Sequence, residues 1–200
     1  PSIPLDSLKK SYEKMGYALN GEKGTKFSID GILSFKASTT LTDSNNFNTQ
    51  WGAMGQGETL VSPCQSMVWQ SAIANKTGIT TNPYFITRAT DVFGEESYKA
   101  SASYSNSTVF SQDAASHLYD IMVKNGTENY SSIGYTVGVK SGTAQVEDGA
   151  KENSLLSGFC TDENLPVAFC IVIEDRKAGE ISTNQIAKIL LSSIDSAINK

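Results

Sequence analysis

Apolar residues recur at helical spacing near the start of the chain. Leu5, Leu8, Tyr12 and Met15 form one stripe, Lys9, Lys10 and Lys14 mark a wet face, and Gly16 can supply a left-handed stop, which predicts a helix over 5–15. A second helix is predicted from Ser62 to about Asn75. Ser62 is its N-cap, Pro63 fits the first helical position and Gln65 completes a capping box. Cys64, Met67, Val68 and Ala72 share its apolar face, and Thr77-Gly78 ends it. A third helix runs from the Ser111 cap through about Asn125, with Gly126 at its end and Ala115, Leu118, Ile121 and Met122 as the buried stripe. A fourth spans about Thr183 to Ile198, with Ile186, Ile189, Leu190, Ile194 and Ala197 facing inward.

Between the last two helices the period changes. Residues 135–139 are rich in β-branched and aromatic types and open a strand that continues to Val146. Leu155 to Cys160 and Val167 to Glu174 read as a second strand pair. Tyr84 to Thr87 and Thr25 to Ile29 are shorter strand candidates. Ser38 to Gln50 is almost all Ser, Thr, Asn and Asp and predicts a surface loop, and Ser97 to Ser107 reads as polar and exposed. No internal repeat and no clean linker is visible. Helices, then three antiparallel strands, then a terminal helix predict an α+β fold, an antiparallel sheet with helices packed on it.

Composition narrows the function. At 200 residues the chain suits one large domain or a domain with an appendage. Net charge is −5, and no basic cluster exceeds two adjacent lysines, which argues against nucleic-acid binding. No apolar run approaches the ~20 residues of a membrane span. Pro1 is no translation start, so an excised piece is expected, with any targeting segment outside it. Cys64, Cys160 and Cys170 have no metal-site spacing, and neither a metal nor a cofactor is expected. Cys160 and Cys170 lie on the two arms of one predicted hairpin without being opposite, so buried free thiols are expected. His117, the only histidine, sits beside the apolar stripe of its helix and reads as a partly exposed helical residue.

Lys140-Ser141-Gly142-Thr143 carries the candidate chemistry. Lys140 brings a point charge, Ser141 and Thr143 bring hydroxyls on one side of a pleat, and Gly142 lets a ligand approach the backbone. An ammonium, two hydroxyls and an open strand edge make a receptor for a carboxylate. Alone, the tetrapeptide is four common surface residues and reads rather as a hairpin turn. The strands that follow it and the Gly55-Gln56-Gly57 segment upstream favour the strand.

Lys140 to Gln145 resembles the Lys-[Thr/Ser]-Gly-Thr-Ala box of penicillin-binding proteins, the peptidoglycan D,D-transpeptidases. Gly55-Gln56-Gly57 through Ser62-Pro63 and Ala72 to Asn75 is similar to the segment these enzymes carry before that box. Ser157-Gly158-Phe159 and Pro166 to Glu174 resemble the next two strands of their sheet. The resemblance covers about residues 5–198 and implies the C-terminal half of a transpeptidase domain, with the penicillin-binding fold incomplete.

Family roles follow as implications. Lys140 would serve proton traffic and the local field, Ser141, Gly142 and Thr143 would bind substrate, and the Thr143 N–H would be half of an oxyanion hole. The implied partners are a peptidoglycan stem peptide and β-lactam antibiotics, at the extracytoplasmic face of a bacterial cell membrane. The family's nucleophile motif, Ser-x-x-Lys, and its Ser-x-Asn motif normally precede everything seen here. Ser7-Leu8-Lys9-Lys10, Ser11-Tyr12-Glu13-Lys14 and Ser44-Asn45-Asn46 match those patterns. The first two lack the apolar surroundings that would make a basic lysine, and the third lies in a polar loop too late in the chain. The chain alone is therefore expected to be inactive, and its parent is expected to be an enzyme. The alternative is a non-catalytic sensor or binding module on the same fold. Without the family's flanking strands, Val167 to Ile173 would be an open edge, to be covered by another copy, a partner chain or a local rearrangement.

Overall fold

Helix α1 (Leu5–Lys14) turns its apolar stripe inward only partly: Leu5, Leu8, Tyr12 and Met15 are all half-buried. Its end is set by Gly16, at φ 89°, which lets the Gly16 and Tyr17 N–H groups donate back to the Glu13 and Tyr12 carbonyls at 2.9 and 3.0 Å. This computed structural model describes residues 3–22, 27–146 and 149–199, so Thr25 and Lys26 of the predicted 25–29 strand lie outside the described residues. The described residues gather into two compact units, one from residues up to 68 and from 79–109, the other from 69–78 and from 110 onward.

In the first unit, β1 (Ala18–Leu19), β2 (Phe27–Ile29), β3 (Leu33–Phe35) and β4 (Ser38–Thr39) are short. β1 pairs parallel with β4, and β2 with β3 as a hairpin. The expected surface loop over 38–50 is not one. It contains β4 and the start of α2 (Phe47–Ala53), and Thr39, Leu41 and Thr49 are buried. The polar run turns inward because its groups find partners. Thr39 and Thr59 share a 2.7 Å hydroxyl contact, Thr49 Oγ1 accepts from the Thr42 N–H, and the Asn20 amide oxygen accepts from the Leu41 N–H. Asn46 caps α2 through the Asn48 and Thr49 N–H groups.

α3 (Pro63–Ala74) starts as predicted, but its capping box forms on one side only. Ser62 Oγ accepts from the Gln65 N–H at 3.1 Å, while the Gln65 amide donates to the Met15 carbonyl. Four strands follow, β5 (Ile79–Thr81), β6 (Arg88–Thr90), β7 (Glu96–Lys99) and β8 (Tyr104–Thr108), paired β5 with β8 and β6 with β7. Tyr84 to Thr87, predicted as a strand, is irregular. Asp30 Oδ2 takes the Phe85 and Ile86 N–H groups at 2.6 and 2.9 Å, which removes the donors a ladder would need. The polar 97–107 stretch is mostly exposed, as expected, yet it forms parts of β7 and β8.

The second unit is layered. α4 (Gln112–Asn129) leads through a 3-10 turn at Ser131–Ile133 to β9 (Val137–Val146), β10 (Lys151–Cys160) and β11 (Ala168–Ile173), and α5 (Thr183–Ile198) closes the chain. The sheet order is β11-β10-β9, antiparallel throughout, which is the expected α+β arrangement. Val137, Val139, Leu156, Phe169 and Ile171 pack with Ala187 and Leu191 of α5. Phe159 packs with Ile73 and Met122. Cross-strand partners share a face, so Leu156 and Ser157 point to opposite sides, and α5 covers one side while α4 and the end of α3 cover the other. Cys64, Cys160 and Cys170 form no disulfide, and of the three thiols expected to be buried only Cys160 is, with Cys170 half-buried opposite Ser157.

Helical stripes differ in detail from the sequence pattern. Ile121 and Ile189 are 62% and 57% exposed, and Ala197 is exposed too. The buried positions are Ala115, Met122 and Gly126 on α4, and Ala187 and Leu191 on α5. α4 also runs through Gly126 instead of stopping there. An added Cβ at Gly126 would lie 1.8 Å from the Val137 carbonyl oxygen, so this glycine sets how closely the helix approaches β9. By contrast, a Cβ at Gly142 would meet only Leu155, at 3.8 Å. We expect Gly126→Ala to destabilise by about 1–3 kcal/mol, because this overlap outweighs the ~1 kcal/mol propensity gain of alanine in a helix. Gly142→Ala should stay within about 0.5 kcal/mol. Urea denaturation of both variants checks the contrast, and equal losses would refute it.

Candidate functional site

β9 places Lys140, Ser141, Gly142 and Thr143 in its middle, on a strand and not in a turn. Because β9 ends the strand order, one of its sides faces β10 and the other has no strand partner among the described residues. α4 covers the first part of that outer side. Asn125 Nδ2 donates to the Val139 carbonyl at 2.9 Å, and Gly126 lies against the Val137 carbonyl. Backbone groups two residues apart in a strand point the same way. The N–H and C=O groups of Ser141 and Thr143 therefore turn to the same outer edge as those of Val139, beyond the cover of α4.

Side chains alternate across this edge. Ser141 is half-buried and opposite Leu156, Thr143 is exposed and opposite Ser154, and the two share a side, as the sequence implied. Lys140 is exposed and lies on the opposite side of the pleat, across from Ser157. Its ammonium bends back to the Ser141 carbonyl, which brings the charge to the edge. Chemically, the edge offers a cation, two hydroxyls and strand N–H groups, a set that suits a carboxylate on an extended peptide.

Sequence reasoning missed Gln70 and did not connect it or Ser157 with Lys140. Gln70 of α3 is buried, and its Nε2 donates to Ser157 Oγ at 3.2 Å. Only the β9–β10 register, which pairs Ser157 with Lys140, reveals this connection. Other candidates fall away. His117 is exposed, with Nδ1 3.2 Å from the Asp113 carbonyl of its own helix. Burial pushes the Cys160 thiol up, so it is a poor thiolate source. Among the described residues no cluster of ligating side chains could hold a metal. A cleft of about 290 Å³ at the start of β9 is lined by Thr127, Ser131, Tyr135 and Thr136, and none of the predicted site residues reaches it.

The serines with a lysine three residues on lie in the first unit. Ser7 and Ser11 are exposed, as are Lys10 and Lys14, and the Ser11 hydroxyl donates to the Ser7 carbonyl. Ser44 is exposed in a turn, and Asn46, two residues on, is occupied in capping α2.

The chain matches the penicillin binding protein transpeptidase domain family over residues 2–192, and it belongs to that family. Its fold is similar to the D,D-transpeptidase domain of a peptidoglycan glycosyltransferase from Eggerthella lenta, at 21% identity and TM-score 0.73, over 96% of this chain and 48% of that one. It is also similar to PBPA from Mycobacterium tuberculosis, at 15% identity and TM-score 0.74, over 98% of this chain and 46% of that one. The penicillin G acyl-enzyme complex of M. tuberculosis penicillin-binding protein A gives 17% identity and TM-score 0.73, over 98% of this chain and 43% of that one. The chain spans about half the length of these solved chains. A search of curated proteins gave no match.

The outer edge depends on Asn125. Asn125→Ala should lower stability by about 1 kcal/mol, the net worth of one hydrogen bond, and Asn125→Asp by more, because it sets an acceptor against the Val139 carbonyl. Denaturant titration checks both, and an aspartate variant as stable as wild type would remove the bond from the account.

Proposed function

We propose that this chain is the C-terminal, substrate-binding part of a peptidoglycan D,D-transpeptidase domain, and that its nucleophile and Ser-x-Asn elements lie outside the chain. The carrying observation is the β9 edge. Lys140, Ser141 and Thr143 gather where α4 stops covering the strand, beside a Gly142 whose missing side chain no internal contact requires. In this reading the edge receives the C-terminal carboxylate of a stem peptide, or the carboxylate of a β-lactam. Lys140 supplies the positive field, Ser141 and Thr143 donate hydroxyl hydrogen bonds, and the Thr143 N–H forms half of an oxyanion hole. The parent acts at the extracytoplasmic face of a bacterial membrane. Among the described residues no helix is long and apolar enough to cross a membrane.

Exposed Ser7, Ser11 and Ser44 support a nucleophile located elsewhere, since an attacking serine needs a held, activating base. We expect the intact mass of the folded chain to stay unchanged after incubation with a labelled penicillin. Meanwhile, amide resonances of Ser141 to Thr143 should shift with D-alanyl-D-alanine, and less so in Lys140→Met. A covalent adduct mapped to Ser7, Ser11 or Ser44 would overturn the missing nucleophile. Unmoved amides at saturating dipeptide would overturn the carboxylate site.

β11 is the other outer strand of the sheet, and its Val167 to Ile173 stretch is apolar. Such an edge invites an added strand from a second copy, a partner chain or the rest of the parent. Sedimentation velocity should show concentration-dependent association that Val172→Lys reduces. A strictly monomeric chain with fast-exchanging β11 amides would end this part of the proposal.

A further inference from the structure

Gln70 is 92% buried by its 8% exposure, and its amide is half satisfied. Nε2 donates to Ser157 Oγ at 3.2 Å, while Oε1 is buried with no partner among the described residues. A buried acceptor without a donor is uncommon and calls for a physical account. The residue across the strand pair from Ser157 is Lys140, whose side chain leaves the sheet on the same side. Directly opposed residues have Cβ atoms about 5 Å apart, and a lysine stem of four methylenes spans such a gap easily. Lys140 thus lies across from the hydroxyl that Gln70 reaches, although its ammonium is bent toward the Ser141 carbonyl at the edge.

We propose that Gln70 and Ser157 form an inner seat for the Lys140 ammonium, so that Lys140 exchanges between the edge and the sheet interior. In the inner position the ammonium donates to Gln70 Oε1 and Ser157 Oγ, which gives the buried acceptor its donor and withdraws the positive charge from the edge. In the outer position the charge faces whatever lies along Ser141 and Thr143. Gln70 is then a positioning residue that acts through Lys140. The seat rests on geometry alone, and only its consequence for ligand binding rests on the carboxylate reading of the edge.

The test is side-chain NMR on the whole chain with labelled lysine and glutamine, without ligand. The seat predicts an NOE between the Lys140 Hε protons and the Gln70 side-chain amide. It also predicts that Gln70→Leu, which keeps the volume and removes the acceptor, moves the Lys140 Hε and Cε shifts to those of exposed Lys124 and Lys188. Gln70→Glu should restore a distinct Lys140 environment, and Ser157→Ala should weaken the NOE without abolishing it. A purely structural glutamine would change the melting temperature and leave the Lys140 shifts alone. Lys140 NOEs to Ser141 only, with shifts unaltered in Gln70→Leu, would overturn the seat. Because no ligand is used, that failure leaves the carboxylate site standing, and loss of the carboxylate site leaves the seat standing.

Discussion

The close approach of α4 to β9 governs the second unit. With only a hydrogen on the Cα of Gly126, the helix backbone comes within reach of the Val137 carbonyl, and one residue earlier the Asn125 amide reaches the Val139 carbonyl. A buried backbone carbonyl needs a donor, and Asn125 supplies it where no strand does. This contact closes the outer side of β9 up to residue 139. From Ser141 onward that side lies beyond the helix. The same contact fixes the rotation of α4, which leaves Ile121 exposed and turns Ala115 and Met122 inward. Core packing and site position are thus two results of one helix–strand distance.

Much of the fold was legible where burial and period agree. α5 falls on the predicted span, because Ser182 and Gln185 make a full reciprocal capping box and the apolar stripe is continuous. The three sheet strands were legible from β-branched runs separated by turns. The failures share a cause. The 38–50 run reads as loop because its polar side chains normally seek water, yet here they satisfy one another inside the first unit. Tyr84 to Thr87 reads as strand by composition, and a carboxylate more than fifty residues away takes its donors. Gly126 reads as a helix stop, since local sequence cannot distinguish a glycine needed for backbone freedom from one needed for proximity.

The candidate site could be proposed from the sequence in part. Lys140, Ser141 and Thr143 could be named because a strand with a cation, hydroxyls and a glycine in succession limits what the surface can bind. Their division between two sides of the pleat follows from alternation. Gln70 could not be found this way. On a helix it is an ordinary polar residue, and its meaning comes from the pairing of residue 157 with residue 140. Contacts made through strand register and helix docking are long-range in sequence, and no local pattern encodes them.

β9 is a strand held in two different ways along its length. Its first half is gripped from both sides, by β10 and by α4, while beyond Val139 the helix contact ends and β10 is its one strand partner among the described residues. Local opening free energies should therefore grade along one continuous element, highest near Val137 and falling toward Val146. A strand built this way can bend from Ser141 onward while its anchored half keeps the core shut, so a local adjustment there requires no loosening of the fold.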